Sequence, residues 1–100
     1  MTVEVLPEAR SELRDAVAYY EEQQSGLGER LWAEVDRHVM WIVQNSELPR
    51  LRPGGYRRIN LRTFPYYISY MVRGAKVWIL AIAHAHRMPE YWVKRKRSIG

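Results

Sequence analysis

The chain has 100 residues, 47% of them hydrophobic, no cysteine and a formal charge of +5; this suffices for one domain burying about two-thirds of its unfolded surface and excludes a disordered chain. Without cysteine there is no disulfide scaffold and no thiolate-held metal, as fits a reducing compartment. No apolar run approaches the roughly 18–20 residues that span a bilayer, and Met1-Thr2-Val3-Glu4 carries no basic leader, so a cytoplasmic protein with no membrane partner is expected. The positive excess, 16 Lys and Arg against 11 Asp and Glu, is uneven. Five arginines lie between residues 50 and 62, Lys94-Arg95-Lys96-Arg97 is unbroken, and the acidic residues cluster before 48. An anionic partner for the second half follows, either nucleic acid or an acidic protein segment.

In chain order, residues 2–6 alternate as a short strand. Pro7 then opens a helix predicted over 7–24, where its missing N–H costs nothing and Glu8 complements the macrodipole. Ala9, Leu13, Ala16, Val17 and Tyr20 share its inner face, with Glu12, Arg14, Asp15, Glu21 and Glu22 largely opposite. Ser25-Gly26-Leu27-Gly28 supplies cap and turn chemistry. A second helix is expected over 27–45, with Leu31, Val35, Val39 and Ile42 as its inner stripe. Its segment Val39-Met40-Trp41-Ile42-Val43 is apolar around the whole circumference, more than packing on one face needs. Either the 48–53 loop or the C-terminal segment covers the outer side, or the segment is a groove for a partner's helix or strand.

After a loop marked by Pro49, Pro53, Gly54 and Gly55, three β-rich runs (56–62, 66–73 and 76–85) read as an antiparallel meander. Phe64-Pro65 marks one corner. Gly74-Ala75 suits a two-residue hairpin, glycine taking the positive φ that a type II′ turn demands first. Val77 to Ala83 is apolar on both pleat faces, which predicts the central strand. A short helix over 89–97 closes the chain. The fold class is therefore α+β: one domain, 1–100, with an N-terminal strand and helical hairpin packed on an antiparallel β-meander, then a short C-terminal helix.

If the helices cover one sheet face, the other holds the polar strand residues. Tyr56, Arg58, Asn60 and Arg62 share one face and Arg57, Ile59 and Leu61 the other, which predicts an open arginine-lined face for phosphates or carboxylates. His84 and His86 share a strand face, but no third ligand is evident and no metal is expected; a half-buried His84 at the strand's end and a surface His86 fit better. Arg87 and Tyr91 stand four apart on the last helix and point the same way. Tyr66, Tyr67 and Tyr70 read as core or cross-strand pairs before base-stacking groups, and the 94–97 run as a solvated helix end.

Tyr56-Arg57-Arg58, Phe64-Pro65-Tyr66-Tyr67-Ile68-Ser69-Tyr70 and His84-x-x-Arg87-x-Pro89-x-x-Trp92 together resemble the RelE/ParE family of bacterial toxins of type II toxin–antitoxin systems. The first half agrees through Ala9, Leu13, Tyr19-Tyr20, Gly26-Leu27-Gly28 and Trp32, so the likeness covers nearly the whole chain. It implies a cytoplasmic toxin without a cofactor, neutralised by a cognate antitoxin, the pair meeting operator DNA only through the antitoxin. RelE-type members cleave mRNA on the ribosome; ParE-type members inhibit DNA gyrase and are not nucleases. The closing string Arg87-Met88-Pro89-Glu90-Tyr91-Trp92, with the Phe64-Pro65-Tyr66 corner, is more similar to the ParE-side and plasmid-stabilisation members.

RNA cleavage would need a base, an acid and cations around the phosphate. Arg58, Arg62, Arg87 and Tyr91 are the residues for it, yet the only lysine before 94 is Lys76, and arginine is a poor proton donor. The expectation is a gyrase inhibitor rather than an enzyme. Arg57, Arg58, Arg62, His84 and Arg87 are expected at the target, and Met40, Trp41, Lys94, Arg95, Lys96 and Arg97 at the antitoxin. An mRNA interferase and an inactive module that only binds antitoxin stay open.

Overall fold

In the computed structural model, which describes residues 1–87 and 90–99, two antiparallel helices lie across one face of a four-stranded sheet. The order is β1 (Thr2–Val5), α1 (Pro7–Gln23), α2 (Leu27–Gln44), β2 (Arg57–Asn60), β3 (Tyr66–Arg73), β4 (Lys76–His84), α3 (Glu90–Val93) and a 3₁₀ helix, Lys94–Ile99. Pro7 occupies the start of α1, and Gly26, at φ 89°, turns the chain into α2. The Glu21 carboxylate receives the Gly26 and Gly28 N–H groups, binding the hairpin's corner together. At Gly28 the helices approach so closely that a Cβ there would meet the Val17 carbonyl at 2.5 Å.

The sheet order is β1-β4-β3-β2, with β4 central as its doubly apolar sequence predicts. β3 pairs antiparallel with both β2 and β4, while β1 joins β4 in parallel, so the sheet is mixed. Arg73 faces Lys76 across a two-residue turn. Gly74 and Ala75 both have positive φ, 61° and 59°; the turn is therefore type I′, not the expected II′. β2 is shorter than the expected 56–62. Tyr56 pairs back with Arg52, and beyond Asn60 the Arg62 and Thr63 N–H groups are captured by the Glu34 carboxylate at 2.6 and 3.0 Å.

Two cores form. Between helices and sheet lie Ala9, Ala16, Leu31, Val35, Ile42, Ile68, Val77, Ile79 and Ile82. On the reverse face Leu6, Tyr67, Met71, Leu80, Ala81, Ala83 and Trp92 make a second core. The open arginine-lined reverse face is thus a wrong expectation. The C-terminal segment crosses it and buries Trp92 completely, whose Nε1–H donates to the Tyr67 hydroxyl at 2.8 Å. Pro89, where the closing helix was expected to begin, lies outside the described residues; past it the segment is one α-turn and then 3₁₀. Arg95 in that segment turns inward, so the run 94–97 is not a uniformly solvated helix end. Among the described residues no helix is long and apolar enough to cross a membrane.

Candidate functional site

The expected site residues fall into separate places. Consecutive strand residues alternate faces, so Arg57 and Arg58 diverge. Arg57 lies on the helix side, where Nη1 donates to the Ser46 carbonyl at 3.5 Å beside Tyr70, a phenol that burial pushes up to about 12. Arg58 lies on the reverse face with its guanidinium 3.9 Å from the Tyr67 ring centre, donating to Asn60 Oδ1 at 3.0 Å. Arg62, expected to share a face with Arg58, stands instead past the end of β2. It rims a cleft of about 480 Å³ between β2 and α2, with Arg37, His38 and Trp41 on the helical wall. The reason is the Glu34 clamp, which takes residue 62 out of the strand's alternation.

His84 and Arg87 come together with Tyr91 at the far end of β4. They line a cleft of about 310 Å³ closed by Glu12, Asp15 and Tyr19 of α1 and Tyr66 of β3. The Arg87 guanidinium stacks 4.0 Å from the Tyr91 ring centre. Burial and the adjacent Glu12 carboxylate push the Tyr91 phenol up to about 12, against the opposing pull of Arg87 and Arg95. At neutral pH that phenol stays protonated and is no base. His84 is half-buried, edge-on to Tyr66 at 5.2 Å, and its Nδ1 accepts the His86 N–H at 3.2 Å. Among the described residues no group of three or more His, Asp or Glu is placed to hold a metal.

The basic tail is also split. Lys94 and Arg97 are exposed, and Lys96 Nζ donates to the Gly54 carbonyl. Arg95 grips Glu12 through both nitrogens, at 3.1 and 2.9 Å, and also donates to the Leu80 carbonyl at 3.0 Å. The same Glu12 accepts the Ile82 N–H at 3.1 Å. Arg95 therefore spends three hydrogen bonds inside the fold, which leaves less of its guanidinium for the expected antitoxin contact than Lys94 or Arg97 offers. Met40 and Trp41 are exposed, at 59% and 36%; the loop and tail do not cover them. Trp41 lines the β2-side cleft, and Met40 is not part of that lining. The opposite flank, with Trp32 and Val39, faces an apolar groove of about 250 Å³ beside Val3, Val5 and Leu13.

Glu12 and Glu34 are the residues that sequence reasoning missed. Glu34 is 3% exposed. Burial opposes its ionisation, but the Thr63 and Arg62 N–H groups outweigh that and hold its carboxyl below the usual carboxylate range. Glu34 sits three residues after Leu31 and one before Val35, on the inner stripe, which is the signal that could have found it. Glu12 has no such signal, since its partners are on elements distant in sequence.

With this geometry in place, the comparisons are specific. The profile of a family described as "ParE toxin of type II toxin-antitoxin system, parDE" matches residues 3–89. Among solved structures, a chain of the chromosomal ParDE toxin–antitoxin system from P. aeruginosa is 21% identical, covering 86% of this chain and 97% of that one with a TM-score of 0.67. The isolated E. coli RelE toxin is 17% identical, covering 97% of each chain with a TM-score of 0.64. No curated protein sequence matches the chain.

Proposed function

The chain belongs to the ParE toxin family of type II toxin–antitoxin systems, and from that premise we propose that it arrests growth by inhibiting DNA gyrase and is neutralised by a cognate antitoxin. One observation supports the gyrase reading over RNA cleavage: the residues expected to carry cleavage do not converge. Arg58, Arg62 and the Arg87–Tyr91 pair occupy three different surfaces. Of the clefts described above, the one that combines arginine with tyrosine also carries Asp15 and the Arg95-paired Glu12, and a carboxylate in the wall repels the phosphate such chemistry must hold. A phenol held near 12 supplies no base for a ribose hydroxyl. Inhibition by binding needs neither.

The antitoxin is expected to cover the apolar groove along α2, using Trp32 and Val39, and to reach the exposed Met40. Purified toxin should block gyrase supercoiling at stoichiometric excess and leave translated mRNA intact after induction in cells. Unimpaired supercoiling together with codon-associated mRNA cuts would replace this reading with an interferase; growth without arrest would leave only antitoxin binding.

A further inference from the structure

We propose that the free edge of β2 takes an extended acidic segment of a protein partner as an added strand, seated in the cleft beside α2. β2 is the last strand of the sheet. Leu61 N–H donates to the Tyr66 carbonyl, and hydrogen-bonded pairs alternate along an antiparallel ladder. Arg57 and Ile59 therefore point their amides at β3, and Arg58 and Asn60 point theirs away from the sheet. Tyr56 has the same outward parity and shows what the edge accepts: its carbonyl already receives the Arg52 N–H at 2.8 Å, from a loop residue lying alongside. From Tyr56 to Arg62, whose N–H Glu34 takes, that place in the ladder is open, and the largest of the clefts described above lies beside it.

The chemistry of the cleft selects the occupant. Arg37 and Arg62 are exposed and make no ion pair among the described residues. The one carboxylate in the wall, Glu34, is turned to the Arg62 and Thr63 backbone. His38 Nδ1 donates to the Glu34 carbonyl at 2.7 Å, fixing that ring. What remains is two guanidinium groups flanking the faces of Trp41 and Ile59. A strand presents alternate side chains to one face. A segment carrying acid, apolar and acid at every second position would set its carboxylates at the arginines and its apolar side chain on Trp41. Single-stranded nucleic acid would meet the same arginines without exchanging strand hydrogen bonds. The inference does not depend on which target the toxin inhibits.

The test titrates the whole purified chain with a labelled, capped peptide, Thr-Glu-Thr-Val-Thr-Glu-Thr, read by fluorescence polarisation and by amide shifts in ¹⁵N spectra. Binding should move the Arg58 and Asn60 amides and quench Trp41. It should weaken by about tenfold in the R37Q/R62Q double variant. Both arginines are exposed, so the variant's fold can be checked independently by circular dichroism. A peptide with lysine for glutamate, or with alternate backbone amides methylated, should not bind. The proposal is overturned if the acidic peptide leaves those amides unmoved at millimolar concentration, if the methylated peptide binds equally, or if oligothymidylate displaces it.

Discussion

Where β1 stops at Val5, β4 runs on to His84, and its bared edge is closed by side chains. Glu12 takes the Ile82 N–H and Arg95 donates to the Leu80 carbonyl, while the two bind each other. Together they offer one acceptor and one donor along the edge, as the amide of a neighbouring strand would. At the opposite margin β2 has no such cover between Tyr56 and Arg62, beyond which Glu34 takes the Arg62 N–H. The two edges pose one problem, an orphaned row of backbone groups, and answer it differently. A closed edge ties together residues far apart in sequence and contributes to stability. An open one is left to solvent, or to a partner.

Two perturbations break the closed edge or its supports, and the first is the more damaging. Trp92 holds the C-terminal segment on the second core, fully buried against Tyr67 and edge-on to Tyr56 at 4.7 Å. Trp92→Ala should cost about 4 kcal/mol, close to the whole stability of a small domain, with a matching fall in the urea midpoint. Glu12→Ala leaves Arg95 half in the fold without its counter-charge and should cost about 3 kcal/mol. Hydrogen exchange separates the edges in that variant. The Ile82 amide should lose about 100-fold of protection, while the Arg58 and Asn60 amides, facing outward in the parent, exchange as before.

Acid gives a smaller effect, and on the other side of the molecule. The Glu34 carboxyl lies below its unfolded value because, against the cost of burial, Thr63 and Arg62 donate to it. Its contribution is therefore present above the ordinary carboxylate pKa and is lost as pH falls through the folded value. Glu34→Gln should lower stability by about 1–2 kcal/mol at pH 7, and the two proteins should converge as pH falls through the folded value of that carboxyl. Urea midpoints measured across that range decide it; parallel curves would mean that the clamp on the β2–β3 bend adds nothing.

The difference between the edges also marks what the sequence could tell. The hairpin, the central strand and the strand limits of β3 were legible because apolar periodicity and turn residues are local. The closed edge was not: Glu12 reads as one more charge on the outer face of α1, and its value comes from residues 82 and 95. Likewise the run Lys94-Arg95-Lys96-Arg97 looks uniform, and only the packing of Trp92 singles out Arg95 for the interior. Arginine content between 50 and 62 was plain, but alternation and the Glu34 clamp send Arg57, Arg58 and Arg62 to three surfaces. The family resemblance rested on strings that survive such rearrangement, which is why it reached further than the site assignments.

The smallest effect serves as the control for the others. Ala75 holds φ at 59° in a turn where both central residues are left-handed, a region that costs a residue with a Cβ about 1–2 kcal/mol. Ala75→Gly removes that strain but gains entropy when unfolded, so the net should be a stabilisation of about 0.5 kcal/mol, seen as a small rise in Tm. The turn lies beyond both open and closed edges, between Arg73 and Lys76. Combined with Glu12→Ala, it should therefore raise the midpoint additively and leave the Ile82 amide as unprotected as before. If instead protection at Ile82 returns with stability, the exchange at that edge was global unfolding, and Glu12 and Arg95 would not be acting as a stand-in strand.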